Sequence, residues 1–221
     1  MHGRASMSLA SRRAFVLALA SLLAVVFATG RAASAAGPAE QLRGQIDRML
    51  KTLEDPDLRK EGKAQERRVA VRKAAEEIFD FSETAKRALG RHWAGRTPAE
   101  QKEFVALFSD LLERSYPSKM EVYGGEKITF AGEALDGEQA TVRTKIITKQ
   151  GTEVPVDYRM LHRADRWLVY DVMIEGISLV GNYRTQFNKI IQTSSYPELV
   201  NKLKTKQIGT PEDDAKRTSQ R

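Results

Sequence analysis

The spacing of apolar residues changes twice along this chain, and no other feature constrains the fold as strongly. Before Lys127 the apolar side chains recur at three- and four-residue steps, which is typical of amphipathic helices. From Lys127 to Glu175 they alternate with polar residues, which is typical of strands that bury one face. Beyond Gly176 the helical spacing returns. This order predicts an α+β fold in which one sheet is packed by helices from both ends of the chain.

Three helices are predicted in the first part of the chain. Residues 41–53 and 69–79 carry apolar stripes, and residues 81–89 form a shorter helix that ends at Gly90, a common stop residue. The charged stretch 54–68 is interpreted as a solvated loop or an exposed helix face.

A fourth helix has the clearest start. Thr97-Pro98-Ala99-Glu100 is a capping box with proline at the first helical position, in which the threonine and glutamate side chains each satisfy a backbone amide of the other residue. The helix should end where Tyr116 meets Pro117. One stripe runs along it, formed by Phe104, Leu107, Phe108, Leu111, Leu112 and Ser115. Such a stripe is ordinary core in most proteins, and a ligand-binding wall would have the same pattern.

Four strands are predicted, at residues 127–133, 140–149, 153–163 and 167–175. Turn residues separate them at Asp136-Gly137, around Gly151 and around Asp165. Because short turns join antiparallel neighbours, the strands should form a four-stranded antiparallel meander. A C-terminal helix pair completes the predicted architecture.

The register of the second and third hairpins follows from matching residue character across the strands. A three-residue loop at 150–152 sets Ile146 opposite Val156. A three-residue loop at 164–166 sets Met160 opposite Tyr170, and it pairs Arg159 with Asp171 on the reverse face. Both hairpins then share one apolar face, composed of Val142, Ile146, Val156, Tyr158, Met160, Leu168, Tyr170, Val172 and Ile174. The register of the first hairpin stays open.

The two ends of the chain differ from the middle. Arg12-Arg13, an apolar run of about fifteen residues and Ala33-Ser34-Ala35 follow the order of a secretory signal peptide, and the run is shorter than the roughly twenty residues that span a bilayer. We therefore expect a signal peptide at 1–35, a single domain at 36–206 and a flexible polar tail at 207–221. The chain has no cysteine, which excludes disulfides and thiol chemistry.

The charge of the chain gives little support to nucleic-acid binding. The formal net charge is +7, but the region up to Ala35 holds four arginines and no acid. The remainder carries 32 basic and 29 acidic residues, a net charge of +3. No nucleic-acid partner is expected.

Few residues are candidates for catalysis. A small cavity enzyme of the ketosteroid-isomerase type would need a carboxylate inside an apolar cup, where desolvation tunes its pKa. Asp171 is the main candidate, but the predicted register sends it to the opposite face beside Arg159. His162 and His92 are interpreted as structural or rim residues, and their spacing does not fit a metal site.

Two segments of this chain resemble the MlaC family, periplasmic phospholipid-binding proteins also called toluene-tolerance proteins. The first segment holds Leu89-Gly90-Arg91-His92-Trp93 and Thr97-Pro98-Ala99-Glu100-Gln101, with aromatic positions at Phe104, Phe108, Tyr116 and Tyr123. The second runs from residue 167 to 180 and includes Tyr170-Asp171-Val172 and Glu175-Gly176-Ile177-Ser178-Leu179. A hopanoid-associated branch of the same superfamily is also similar.

The resemblance implies a periplasmic carrier without catalytic groups or a cofactor. A twisted sheet and its helices would enclose an apolar pocket for the acyl chains of a bound phospholipid cargo. The implied partners are an inner-membrane ABC transporter with its MCE-domain protein and an outer-membrane lipoprotein and porin complex. A ligand-free, chaperone-like adaptor is the remaining alternative.

The expected lipid-binding residues come from three parts of the chain, and ordinary core is the alternative for each. Phe104, Phe108 and Leu111 would form a helical wall, and Tyr183 and Phe187 a closing wall. The sheet would supply the floor, from Val142, Ile146, Val156, Tyr158, Met160, Tyr170, Val172 and Ile174.

Overall fold

The computed structural model describes residues 36–115 and 127–209. Its six α-helices are α1 Pro38–Glu54, α2 Ala64–Ile78, α3 Phe81–Leu89, α4 Pro98–Ser115, α5 Leu179–Thr193 and α6 Tyr196–Lys204. Its five strands are β1 Lys127–Asp136, β2 Gln139–Ile147, β3 Glu153–Arg163, β4 Arg166–Ile174 and β5 Ile177–Ser178. The expected signal peptide, the helix end at Tyr116 and residues 210–221 lie outside the described residues.

Side-chain hydrogen bonds cap the starts of α3 and α4. The capping box of α4 forms as predicted, because Glu100 N donates to Thr97 Oγ1 at 3.3 Å and Thr97 N donates to Glu100 Oε2 at 2.8 Å. That backbone hydrogen bond from Thr97 lowers the pKa of Glu100. At α3 the Asp80 carboxylate accepts from Glu83 N at 2.9 Å, and the helix ends at Gly90, whose φ of 56° favours glycine.

The strands form one antiparallel sheet in the order β1-β2-β3-β4-β5. The predicted meander is therefore present, but the prediction of four strands was wrong by one. The short β5 pairs with the end of β4 before the chain enters α5. Ile177 and Ser178 had no strand pattern of their own, since two residues are too few for alternation to show.

The predicted register between β2 and β3 was wrong by two residues. Ile146 lies opposite Val154 instead of Val156, and Thr144 lies opposite Val156. The connection is longer than the predicted loop, because Thr148 N donates to Thr152 O at 2.9 Å and closes a wider turn. A shift of two residues leaves every side chain on its predicted face.

The register between β3 and β4 was predicted correctly for only half of the hairpin. Pairs such as Arg159 with Asp171 form as predicted, but an irregularity follows, and Met160 lies opposite Val169 instead of Tyr170. The turn is also tighter than predicted, because Arg163 pairs with Arg166. A bulge of one residue exchanges the two faces of a strand beyond it.

This bulge moves Tyr170 and Leu168 off the predicted apolar face. The Tyr170 hydroxyl donates to Gln139 Oε1 at 3.3 Å, and the Arg87 guanidinium carbon lies 3.9 Å from the centre of the Tyr170 ring. Both contacts are on the far side of the sheet. Trp167 and Val169 take the vacated places on the apolar face.

Two separate hydrophobic cores result. The sheet core joins α1 and α2 to the apolar face and is built from Leu42, Met49, Leu53, Ile78, Ala140, Val142, Met160, Trp167 and Val169. The helical core joins α3, α4, α5 and α6 and includes Ala85, Ala88, Leu89, Phe104, Phe108, Leu111, Val180, Tyr183, Phe187 and Leu199.

The packed chain extends beyond the predicted start of the tail at residue 207. Ile208 is only 3% exposed and belongs to the helical core, and its carbonyl accepts from Arg114 Nη1 at 3.4 Å. No helix within the described ranges is long and apolar enough to cross a membrane.

Candidate functional site

Among the elements that the structure describes, helices cover the apolar face of the sheet at one end only. At the end near the β1–β2 and β3–β4 turns, Ala140, Met160 and Val169 are buried beneath α1 and α2. At the other end most apolar side chains are half-buried or exposed, although Val156 is only 4% exposed. Phe130, Tyr158 and Val172 still pack against the edge of the buried cluster. We call this second region the open end and define it as Ile128, Phe130, Ile146, Val154, Tyr158, Val172 and Ile174.

The open-end side chains become more exposed towards the β4–β5 edge of the sheet. Ile174 is 41% exposed, and Ile177 of the adjoining β5 is 60% exposed. Neighbouring strands bring the open-end residues together, because Ile128 is paired with Ile146, and Ile146 with Val154. A contiguous apolar surface of this kind indicates a binding site more often than solvent-facing structure.

Tyr158 lies at the inner limit of the open end. Its side chain keeps accessible surface, yet burial raises the pKa of its hydroxyl to about 12. Its ring is therefore half-buried at the open end, while burial favours the neutral form of its hydroxyl. The neighbouring Thr144 Oγ1 donates to Val156 O at 2.8 Å. Neither side chain carries a charge, so this part of the face is neutral.

The five helical residues predicted to form walls lie in the helical core. Phe104, Phe108, Leu111, Tyr183 and Phe187 are each at most 1% exposed. The Phe108 ring lies edge-on to Tyr183 and Phe187, with ring centres 5.1 and 5.3 Å away. In this structure they offer no surface that a ligand could touch, and they hold α4 against α5.

The predicted floor residues divide into three groups. Ile146, Tyr158, Val172 and Ile174 belong to the open end. Val142, Val156 and Met160 lie on the same face but are at most 4% exposed. Tyr170 lies on the opposite face.

Sequence reasoning missed three open-end residues, Ile128, Phe130 and Val154. The alternation of β1 was visible, but the register of its hairpin was open because β1 shifts register between Phe130 and Gly132. Val154 lies on the same face in either register, but the predicted register set it opposite Thr148 at the end of the hairpin instead of opposite Ile146.

Asp171 has a structural position, as the predicted register required. It lies on the reverse face with an oxygen 3.6 Å from Arg159 Nη1, and it is 4% exposed. Its carboxylate accepts from Ser178 Oγ at 2.7 Å and from Val180 N at 3.0 Å, which anchors the start of α5. His162 lies near the β3–β4 turn, with its ring centre 4.9 Å from that of Trp167.

A separate surface groove of about 520 Å³ lies between α2, the start of α3 and α4. Phe81, Trp93 and Val105 contribute apolar surface to it. Burial raises the pKa of Glu113 at its edge, although Arg72 lies 3.1 Å away and acts in the opposite direction. None of the residues that line this groove comes from the sheet.

The family profile described as MlaC protein matches residues 43–205, which include the sheet, α2 to α6 and all but the start of α1. The chain belongs to the MlaC family.

Two curated relatives match part of this MlaC-family protein. The toluene tolerance protein ttg2D of Pseudomonas putida is 29% identical over 97 residues, which cover 43% of this chain and 45% of the relative. The intermembrane phospholipid transport system binding protein MlaC of Haemophilus influenzae is 22% identical over 122 residues, which cover 53% of this chain and 57% of the relative. The chain spans about half the length of the curated relatives it matches.

A solved structure matches over a larger share. The phospholipid-binding protein from Ralstonia solanacearum, determined in complex with a phospholipid, has a TM-score of 0.69 and 29% sequence identity to this MlaC-family protein. The match covers 77% of this chain and 96% of that chain. The similarity confirms the predicted α+β fold.

Proposed function

We propose that this protein is a periplasmic phospholipid carrier that holds acyl chains against the open end of its sheet. The observation that carries the proposal is the apolar face itself, which is covered by α1 and α2 at one end and accessible at the other. The Ralstonia structure supports the assignment of the cargo, because a chain with the same fold binds a phospholipid. The name of the Haemophilus relative supports a role in transport between membranes.

The free energy of hydrocarbon in water explains why a carrier is needed. Each methylene removed from water contributes about 0.8 kcal/mol, so two acyl chains with roughly thirty methylenes represent about 20 to 25 kcal/mol. A free lipid therefore crosses an aqueous space very slowly. A carrier must offer an interior about as favourable as a bilayer, so that both uptake and release occur.

The chemistry of the open end fits this requirement. Its residues are aliphatic or aromatic, and its one hydroxyl, on Tyr158, is neutral because burial raises its pKa to about 12. Asp171, the carboxylate that would serve a cavity enzyme, is engaged on the other face. This arrangement favours a carrier over catalysis, and the carrier needs no cofactor.

The proposed partners are the membrane complexes between which such a carrier moves. One is an inner-membrane ABC transporter with an MCE-domain protein, and the other is an outer-membrane lipoprotein and porin complex. Both follow from the family to which the chain belongs.

Single cysteines test where the cargo lies, because the chain has none of its own. In Ile174→Cys the thiol would stand at the open end, and in the control Leu135→Cys it would stand near the covered end of the same face. Leu135 is 58% exposed and Ile174 is 41% exposed, so both thiols should react with a maleimide in lipid-free protein.

Phospholipid should slow the labelling of Ile174→Cys several-fold and leave Leu135→Cys unchanged. Mass spectrometry of loaded and delipidated protein measures both rates. Equal labelling of Ile174→Cys with and without lipid would show that the chains do not lie against the open end.

A further inference from the structure

A second groove lies between the end of α3 and the outer side of α5. Its volume is about 400 Å³, and its lining is Leu89, Gly90, Arg91, His92, Arg184, Thr185 and Asn188. None of these residues belongs to the open end of the sheet. We propose that this groove binds a phosphate group, either free phosphate or the phosphate of an anionic lipid headgroup at a membrane surface.

Two arginines give the groove a positive charge. Arg91 and Arg184 are both exposed, and no carboxylate is among the lining residues. Within the described chain Arg184 forms no ion pair. Ion pairing varies among the exposed arginines of this protein. Arg72 is paired with Glu76 and Glu113, and Arg163 with Asp80 and Glu83, whereas Arg43, like Arg184, has no ion pair within the described residues.

Gly90 positions the side chain of Arg184. A Cβ at residue 90 would lie 3.2 Å from Arg184 Cδ and 3.4 Å from its Cγ. The arginine stem therefore lies directly over the backbone of Gly90, where a larger residue would crowd it. This packing restricts the arginine stem beside the groove.

Asn188 orients the second arginine. Its Oδ1 accepts from Arg91 Nη2 at 2.8 Å and lies 3.0 Å from His92 Nε2, while its Nδ2 donates to Gln192 Oε1 at 3.1 Å. The three contacts together fix the orientation of the amide, so His92 Nε2 must carry a hydrogen. Arg91 is held by one N–H and keeps the others for a ligand.

The guanidinium groups of Arg91 and Arg184 lie beside a small concave space. They are suited to phosphate, because a guanidinium can donate two parallel hydrogen bonds to phosphate oxygens. Basic residues are favoured at the end of a helix, which accounts for Arg91 and His92 after α3. That effect does not account for Arg184, which lies in the second turn of α5. The proposal is independent of phospholipid carriage.

The test compares Arg184→Gln and Arg91→Gln with Lys189→Gln, which removes the same charge from an exposed position of α5 outside the groove. Inorganic phosphate is titrated into full-length protein and followed by backbone amide NMR shifts. Flotation with phosphatidylcholine vesicles, with and without phosphatidylglycerol, measures binding to headgroups. Circular dichroism checks the fold of each variant.

We expect both groove variants to bind phosphate about tenfold more weakly or worse, and the lysine variant to match the wild type. Binding to phosphatidylglycerol vesicles that phosphate competes away would identify the headgroup as the source. Binding to phosphate alone would identify the free anion. The proposal is overturned if wild type binds neither probe, or if Lys189→Gln loses as much binding as the groove variants.

Discussion

Asp171 illustrates how a buried carboxylate can serve structure alone. It accepts hydrogen bonds from Ser178 Oγ and Val180 N, and Ser178 Oγ in turn accepts from Gly181 N at 2.8 Å. The carboxylate thus joins β4, β5 and the first turn of α5. Tyr158 has the opposite role, because its ring is half-buried at the open end and burial raises the pKa of its hydroxyl to about 12.

Replacing Asp171 with alanine should destabilise the fold by about 2 to 4 kcal/mol, because buried donors at the start of α5 lose their acceptor. Asp157→Ala is the matched control, since Asp157 is a half-buried carboxylate on the same face. We expect it to cost less than about 1 kcal/mol. Urea denaturation measures both, and similar values for the two variants would contradict the anchoring role.

Tyr158 should make stability depend on pH in the alkaline range. Its folded pKa of about 12 exceeds the ordinary value of 10.0, so the folded state holds the proton more tightly between these values. Stability is therefore present below pH 10 and is lost as pH rises towards 12, by about 2 to 3 kcal/mol. In Tyr158→Phe this alkaline loss of stability should be absent. Denaturation curves at pH 9 to 11.5 that fall equally in both proteins would contradict the buried position.

At the scale of elements, long periodic segments could be predicted from the sequence and short irregularities could not. The capping box located the start of α4, and alternation located β1 to β4. The two-residue error at Ile146 arose because apolar residues match apolar residues in either register. The bulge near Tyr170 was hidden because Trp167 to Tyr170 is apolar throughout, so either face could have been the buried one.

The same limit applied to the candidate site. The sequence identified the apolar face of the sheet and kept Asp171 off it, because both depend on alternation. It could not tell ligand-contacting residues from core residues. An apolar face has the same pattern whether it is enclosed, as at Phe108, or open, as at Ile174. Only packing between distant helices decides that Phe108 is enclosed.

Val172→Glu should abolish phospholipid uptake, because a carboxylate at the open end would have to be desolvated by the acyl chains. Val172 is half-buried, so the variant should still fold. Pro155→Glu is the control, since it adds the same charge to an exposed position on the other face of β3. Transfer of a fluorescent phospholipid from vesicles should fall at least about tenfold in the first variant only. Normal uptake by Val172→Glu would contradict the site.

At the scale of the whole molecule, the two cores have different roles. The helical core encloses its aromatic residues fully and fixes α3 to α6 as a unit. The sheet core covers only part of the apolar face and leaves the open end accessible. The groove at Arg91 and Arg184 lies on the helical unit, so contact with a phosphate would not compete with cargo at the open end.

The central claim is that the open end carries phospholipid. Protein purified without detergent and extracted with organic solvent should release two-chain phospholipid in a nearly one-to-one ratio, measured by mass spectrometry against protein concentration. Val172→Glu, purified in the same way, should release little. A well-folded wild-type protein that yields no phospholipid would contradict the account.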